Sequence, residues 1–187
     1  MKTIKTLLIA VLVITGALSR AQDKPMIHAD LFDLNGIRLK PAELFNNDLP
    51  MLLIFWKSNS SQCCDQLKVI NTIYKEKLKV KGIRVVVVCI DCQGKIQHIK
   101  PIVYGYDFDF DVYIDRNGDF KRSMSVTGAP YTILFDNKMN PVCRHTGFCN
   151  GDELLICEKI DQCLAGQNGK TEDKRDSANL FNGGILP

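Results

Sequence analysis

Met51-Leu52-Leu53-Ile54-Phe55-Trp56 and Ile83-Arg84-Val85-Val86-Val87-Val88-Cys89-Ile90 decide the fold of this chain. Both are apolar runs without alternation, as expected of strands covered on both faces of a sheet. Between them Ser58 to Ser61 break the first run. From Cys63 to about Lys79 the residues Leu67, Ile70, Ile73, Tyr74 and Leu78 then recur at three- and four-residue steps. That spacing predicts an amphipathic helix, which Gly82 ends. Strand, helix, strand at this distance is a βαβ unit, with parallel strands and a right-handed crossover.

Upstream, residues 28 to 34 alternate weakly and reach the turn dipeptide Asn35-Gly36. Ile37 to Leu39 return as the second arm of a hairpin, and a polar stretch with Asn46, Asn47 and Asp48 leads to Pro50. Downstream, Lys95 to Val103 reads as a helix cut short by Pro101. Asp111 to Ile114 is a short strand before the turn Asp115-Arg116-Asn117-Gly118. Tyr131 to Phe135 and Pro141 to His145 form an antiparallel pair around the turn 136–140. Asp152 to about Leu164 is a final helix, with Leu154, Leu155, Ile156 and Ile160 on its apolar face. The stretch 166–187 is polar, with too little to bury, and is expected to be a flexible tail. The expected class is α/β, a central mixed sheet flanked by helices with an N-terminal β-hairpin extension, in one domain over 26–165.

Residues 1–21 stand outside that domain. Lys2 and Lys5 open it, Leu7 to Ile14 form a short apolar run, and Ser19-Arg20-Ala21 closes it with a small-x-small pattern. This is the layout of a cleavable signal peptide, too short in its apolar part to span a bilayer; the alternative is a retained anchor. Nothing after Ala21 is apolar for long enough to cross a membrane, so an exported, periplasmic, soluble protein is expected. The whole chain carries 24 Lys+Arg against 21 Asp+Glu; removing Lys2, Lys5 and Arg20 leaves 21 against 21. A neutral mature chain offers no electrostatic footprint for nucleic acid.

All eight cysteines follow the signal: Cys63, Cys64, Cys89, Cys92, Cys143, Cys149, Cys157 and Cys163. In an oxidising compartment such a count invites one or two disulfides, with pairing left open. Zinc binding by Cys89, Cys92, Cys143 and Cys149 fits the count but not the spacing. Asp115, Asn117 and Asp119 imitate a calcium loop whose twelfth position is Val126 rather than Glu. No metal and no cofactor are expected. His28, His98 and His145 are scattered, with no visible partner cysteine.

The ordered pieces resemble a thioredoxin-fold redoxin of the TlpA/ResA type, the extracytoplasmic thiol–disulfide oxidoreductases. Leu34-Asn35-Gly36 through Phe55-Trp56 is similar to the family's opening hairpin and first central strand, and Phe55-Trp56-Lys57-Ser58 to the strand end before its dithiol. Val126-Thr127-Gly128-Ala129-Pro130 resembles the cis-proline segment, and Arg144-His145-Thr146-Gly147-Phe148 the strand and glycine before the last helix. The resemblance implies a cis Pro130, with Trp56 and the Ala129 backbone in a groove for an extended peptide. It places the family's Cys-x-x-Cys on Ser60-Ser61-Gln62-Cys63: Cys63 matches the second cysteine, while Ser60 stands where the nucleophile is expected. The family's following Glu falls on Gln66 and its helix-kinking Pro on Lys68.

A dithiol enzyme sets its attacking sulfur at a helix N-terminus, where free backbone N–H groups lower the thiol pKa. The second cysteine then resolves the mixed disulfide. A serine oxygen forms no such intermediate, so ordinary turnover at Ser60/Cys63 is not expected. Cys64, Cys89 and Cys92 remain as accessory thiols; Cys89-Ile90-Asp91-Cys92 has dithiol spacing but follows a strand instead of opening a helix. Two readings follow. One is an oxidoreductase of altered type acting on protein thiols and disulfides. The other is a redox-inactive module that holds an extended peptide beside Pro130.

Overall fold

The computed structural model describes residues 29–46, 48–91 and 96–179, with the side chains of the last helix as far as residue 166. The signal-peptide reading of residues 1–21, and Cys92, lie outside the described residues. In chain order the elements are β1 (Leu31–Phe32), β2 (Arg38–Leu39), α1 (Pro41–Leu44), β3 (Met51–Trp56), α2 (Ser61–Ile73), β4 (Arg84–Cys89) and α3 (Ile96–Gly105). There follow β5 (Asp111–Ile114), α4 (Asp119–Ser123), β6 (Tyr131–Phe135), β7 (Pro141–Thr146) and α5 (Asp152–Asn179).

The strands form one seven-stranded mixed sheet in the order β2-β1-β5-β4-β3-β6-β7. The βαβ expectation holds: β3 and β4 pair in parallel, from Met51 opposite Arg84 to Trp56 opposite Cys89. β5 continues the parallel set beside β4, and β6 runs antiparallel on the other side of β3. Every residue of β3 is buried, as its unbroken apolar run requires.

The pleat divides these side chains between two cores. Leu52, Ile54 and Trp56, with Val85, Val87 and Cys89, meet Leu67 and Ile70 of α2, Ile99 and Val103 of α3, and Ile156 and Ile160 of α5. Met51, Leu53 and Phe55, with Val86 and Val88, meet Leu44 of α1, Phe120 of α4, Met124 and Val126 on the opposite face. Helices thus lie on both faces, the three longer ones together on one. Each wholly buried aliphatic or aromatic side chain stabilises the fold by about 1.5–3 kcal/mol.

Some boundaries differ from the sequence expectation. Pro101 does not end α3, which runs on to Gly105. The missing N–H forfeits one bond, to the Gln97 carbonyl, while Ile99 and Val103 are buried on either side of it and hold both turns. After Ile73, α2 continues as one wider turn over Tyr74–Leu78, where Lys79 N donates to Tyr74 O at 3.0 Å. It stops at Gly82, whose φ of +71° suits glycine. α5 does not stop near Leu164 but continues to Asn179, so much of the stretch expected to be a tail is helical. No proline interrupts that stretch before Pro187, and a helix already nucleated gains one bond per added residue. Among the described residues no helix is long and apolar enough to cross a membrane.

Candidate functional site

β3 delivers its carboxyl end to the turn 57–60, and α2 starts directly after it. Ser60 is the N-cap: its backbone is extended (φ −108°, ψ 116°) and its Oγ accepts from Cys63 N at 3.3 Å. The hydroxyl therefore satisfies one of the backbone donors that a helix start leaves unpaired. One turn in, Cys63 is 0% exposed and packs in the core of the α2 face. Cys64 is half-buried, and burial pushes its thiol up, with the neighbouring Cys63 adding to the effect. Neither sulfur takes the place of an exposed, activated thiolate at the helix start.

The turn before the helix is held by Asp91, which follows β4. Its carboxylate accepts from Ser58 N (3.0 Å), Ser58 Oγ (3.1 Å) and Asn59 N (3.3 Å). Cys89 Sγ lies 2.9 Å from Asp91 Oδ1. Cys89 is disulfide-bonded, to a partner outside the described residues, whereas Cys63, Cys64, Cys143, Cys149, Cys157 and Cys163 are not in disulfides. Burial also pushes the thiols of Cys143 and Cys157 up.

Two more loops complete this end of the sheet. The Ala129–Pro130 peptide bond is cis, as the resemblance implied; Pro130 is buried and Ala129 half-buried at the entry to β6. Gly147 N donates to Pro130 O at 2.8 Å, tying the loop after β7 to the proline. Gln62 Nε2 of α2 donates to Phe148 O at 2.9 Å, tying the same loop to the helix start. The half-buried Ala129, the first turn of α2 and the 147–149 loop thus converge. Beneath them Gln66, 0% exposed, donates from Nε2 to Thr132 Oγ1 at 3.0 Å, joining α2 to β6; its Oε1 has no partner.

Of the residues predicted from sequence, Ser60, Cys63, Ala129 and Pro130 come together here, with Cys64 on the same first turn. Trp56 does not line the groove. It is 0% exposed in the core of the α2 face, because it is the last inward residue of β3. Cys89 is likewise buried at the end of the neighbouring strand. Sequence reasoning missed Asp91, Gln62 and a histidine–carboxylate contact: His145 Nε2 lies 3.0 Å from Asp152 Oδ2, the oxygen that also accepts from Cys149 N at 2.7 Å. The Cys149 amide and then His145 hold the Asp152 carboxyl below its ordinary value. Cys149 itself is exposed. Among the described residues no three His, Cys, Asp or Glu side chains gather as metal ligands.

No protein-family model matches the chain, and no curated protein sequence matches it. Solved structures do. A thioredoxin-like protein of Porphyromonas gingivalis is 30% identical with a TM-score of 0.65, over 73% of this chain and 90% of that one. A DsbE-type thiol:disulfide interchange protein of Chlorobium tepidum is 25% identical with a TM-score of 0.63, over 72% and 92%. A secreted disulfide oxidoreductase of Mycobacterium tuberculosis, 16% identical with a TM-score of 0.57 over 70% and 94%, shares the fold alone. The sheet order, the cis-proline loop joined to the first turn of α2, and these likenesses agree: the chain belongs to the thioredoxin-like proteins, among the redoxins of the TlpA/ResA type.

Proposed function

We propose that this chain is an exported, periplasmic thioredoxin-fold protein that holds extended, cysteine-bearing segments of other proteins beside Ala129 and Pro130, without dithiol turnover at Ser60/Cys63. One observation carries the reading. The helix-start position of the family's nucleophile is filled by a hydroxyl that accepts the Cys63 amide, above a Cys63 wholly out of reach. Serine oxygen forms no mixed disulfide, and Cys64, raised by burial, is mainly protonated at neutral pH. What the site keeps is the means to bind: a half-buried strand entry at Ala129 beside the 147–149 loop, which is hydrogen-bonded both to Pro130 and to the start of α2. The reading of residues 1–21 as a signal peptide supports export, and likeness to thiol–disulfide oxidoreductases supports protein thiols as the chemistry of the partners.

Alkylation of the native protein at mildly acidic pH, mapped by mass, tests the first half. Cys149 is expected to label and Cys63 to stay unlabelled until the protein is unfolded; rapid native labelling of Cys63 would show a working thiolate and refute the reading. The second half is tested by titrating the protein into a labelled, unfolded, cysteine-bearing client. Ala129→Arg is expected to weaken binding several-fold, and undiminished binding would place the contact elsewhere.

A further inference from the structure

Asn150-Gly151 lies directly before α5, next to the loop that Gly147 and Phe148 tie to Pro130 and Gln62. In an Asn-Gly pair the backbone nitrogen of the glycine is close enough to attack the asparagine side-chain amide, and the absent Cβ leaves that approach unhindered. Two other such pairs among the described residues are held against it. Asn35 N donates to Asp33 Oδ1 at 2.8 Å and Gly36 N to Asp33 O at 3.0 Å, which locks the first pair in its hairpin turn. Gly118 N donates to Asp115 O at 3.4 Å, and an added Cβ there would meet Arg122 Nη1 at 3.2 Å, so the second pair is tied and crowded. Asn150 and Gly151 are both exposed, and an added Cβ at Gly151 would meet nothing within 4 Å. The Gly151 N–H donates to a carboxylate, Glu153 Oε2, at 2.8 Å. A peptide carbonyl only accepts a hydrogen bond, whereas a carboxylate at that distance also takes a proton. We propose that Asn150-Gly151 is a self-modifying site, at which Glu153 is the base and the asparagine becomes aspartate or isoaspartate. This goes beyond the binding role of the groove and does not rest on it.

The chemistry balances with solvent water as the only co-reactant. Gly151 N passes its proton to Glu153 Oε2 and bonds to Asn150 Cγ. The Cγ–Nδ2 bond then breaks, and the amide nitrogen leaves as ammonia with the proton returned from Glu153. Water opens the resulting cyclic imide. Attack at the former side-chain carbonyl gives aspartate, and attack at the backbone carbonyl gives isoaspartate. The sum is one asparagine and one water converted to one carboxylic acid and one ammonia, with no change of oxidation state. The new carboxylate adjoins Cys149, whose N–H Asp152 holds at 2.7 Å, and the isoaspartate form also lengthens the backbone by a methylene group. The site thereby adds negative charge at the root of the 147–149 loop, beside Asp152 and Glu153.

The test is incubation of the native protein at mildly alkaline pH, sampled over days, with peptide mapping by mass and chromatographic separation of isoaspartate from aspartate. The amide-to-acid mass gain is expected at Asn150 several-fold sooner than at Asn35 or Asn117. In urea, where the turns at Asp33 and Asp115 are lost, the three rates are expected to converge. Glu153→Gln keeps an oxygen that accepts from Gly151 N but takes no proton, and is expected to slow the Asn150 reaction several-fold. Asn150→Gln is expected to remove the gain at that position. The proposal is overturned if Asn150 stays an amide, or if Asn35 or Asn117 converts as fast in the native protein. It is equally overturned if Glu153→Gln leaves the rate unchanged or raises it. None of these outcomes depends on whether a client binds beside Ala129.

Discussion

Gln66 shows how far a single side chain sets the character of the site. It is wholly buried, bonded to Thr132 Oγ1 through Nε2, with Oε1 unpartnered. Gln66→Glu puts a carboxyl in the same place. Burial favours its neutral form, so its folded pKa rises above the unfolded value of about 4.3. The sign follows: the unfolded chain releases its proton first, so the variant loses stability relative to wild type as pH rises from about 4.3, and matches it best below. Urea unfolding at pH 4 and pH 7 is expected to show the gap widening to about 1–3 kcal/mol at the higher pH. A gap independent of pH would mean the carboxylate finds a charge partner. Ser60 and Cys63 were placed by family spacing counted on from Phe55-Trp56, and the cis Pro130 was legible from the segment Val126-Thr127-Gly128-Ala129-Pro130. Asp91, the Gln62–Phe148 bond and the His145–Asp152 pair were not. The first two join residues 32 or more and 86 apart, and chain spacing carries no trace of such contacts. Trp56 was misplaced in the groove because its face follows from the strand's pleat, which the resemblance does not give.

At the scale of elements, contacts between helix and loop decide what a substitution costs. Asn71 of α2, 8% exposed, donates from Nδ2 to Asp107 O at 3.0 Å and accepts from Asp109 N at 2.9 Å. It thus pins the loop between α3 and β5, where Asp107 has a φ of +51°. Asn71→Ala leaves both backbone groups without that partner, and thermal unfolding is expected to show a loss of about 1–3 kcal/mol. Gly82, at φ +71°, closes the same helix with space around it, since an added Cβ would meet Leu49 Cδ2 at 3.7 Å. Gly82→Ala is therefore expected to cost about 1–2 kcal/mol through backbone strain rather than collision. A stability equal to wild type would show that the turn relaxes. The long apolar strands and α2 were legible because burial on both faces or on one stripe writes a strong pattern. α1 and α4 span 4 and 5 residues, too few for periodicity to show. The end of α5 was misread because its last part is held by continuation of the helix, which leaves no apolar stripe.

The whole molecule is one sheet with a core on each face, and β3 supplies alternate residues to both. Loss of either core strips the other of its shared strands, so the two are expected to melt together. Phe120→Ala, on the face away from α2, removes a wholly buried ring that lies tilted against Phe55, 5.5 Å between centroids. It is expected to cost about 3–5 kcal/mol, a large part of a typical domain's stability. Trp56 lies in the opposite core, so its fluorescence and the far-ultraviolet signal are expected to report one coincident transition. Separated midpoints would mean the cores unfold independently. The same integrity bears on function: the loop at Pro130, the helix start and the sheet are in place, and on the reading proposed above the sulfur absent at position 60 is what bars dithiol chemistry at that site. Insulin disulfide reduction by wild type and by Ser60→Cys, with a thiol donor, tests this most directly. The account predicts a wild-type rate that Cys63→Ser leaves unchanged, and a clear gain in Ser60→Cys that Cys63→Ser removes. A wild-type activity abolished by Cys63→Ser, or a Ser60→Cys protein that forms no bridge with Cys63 and stays inert, would contradict it.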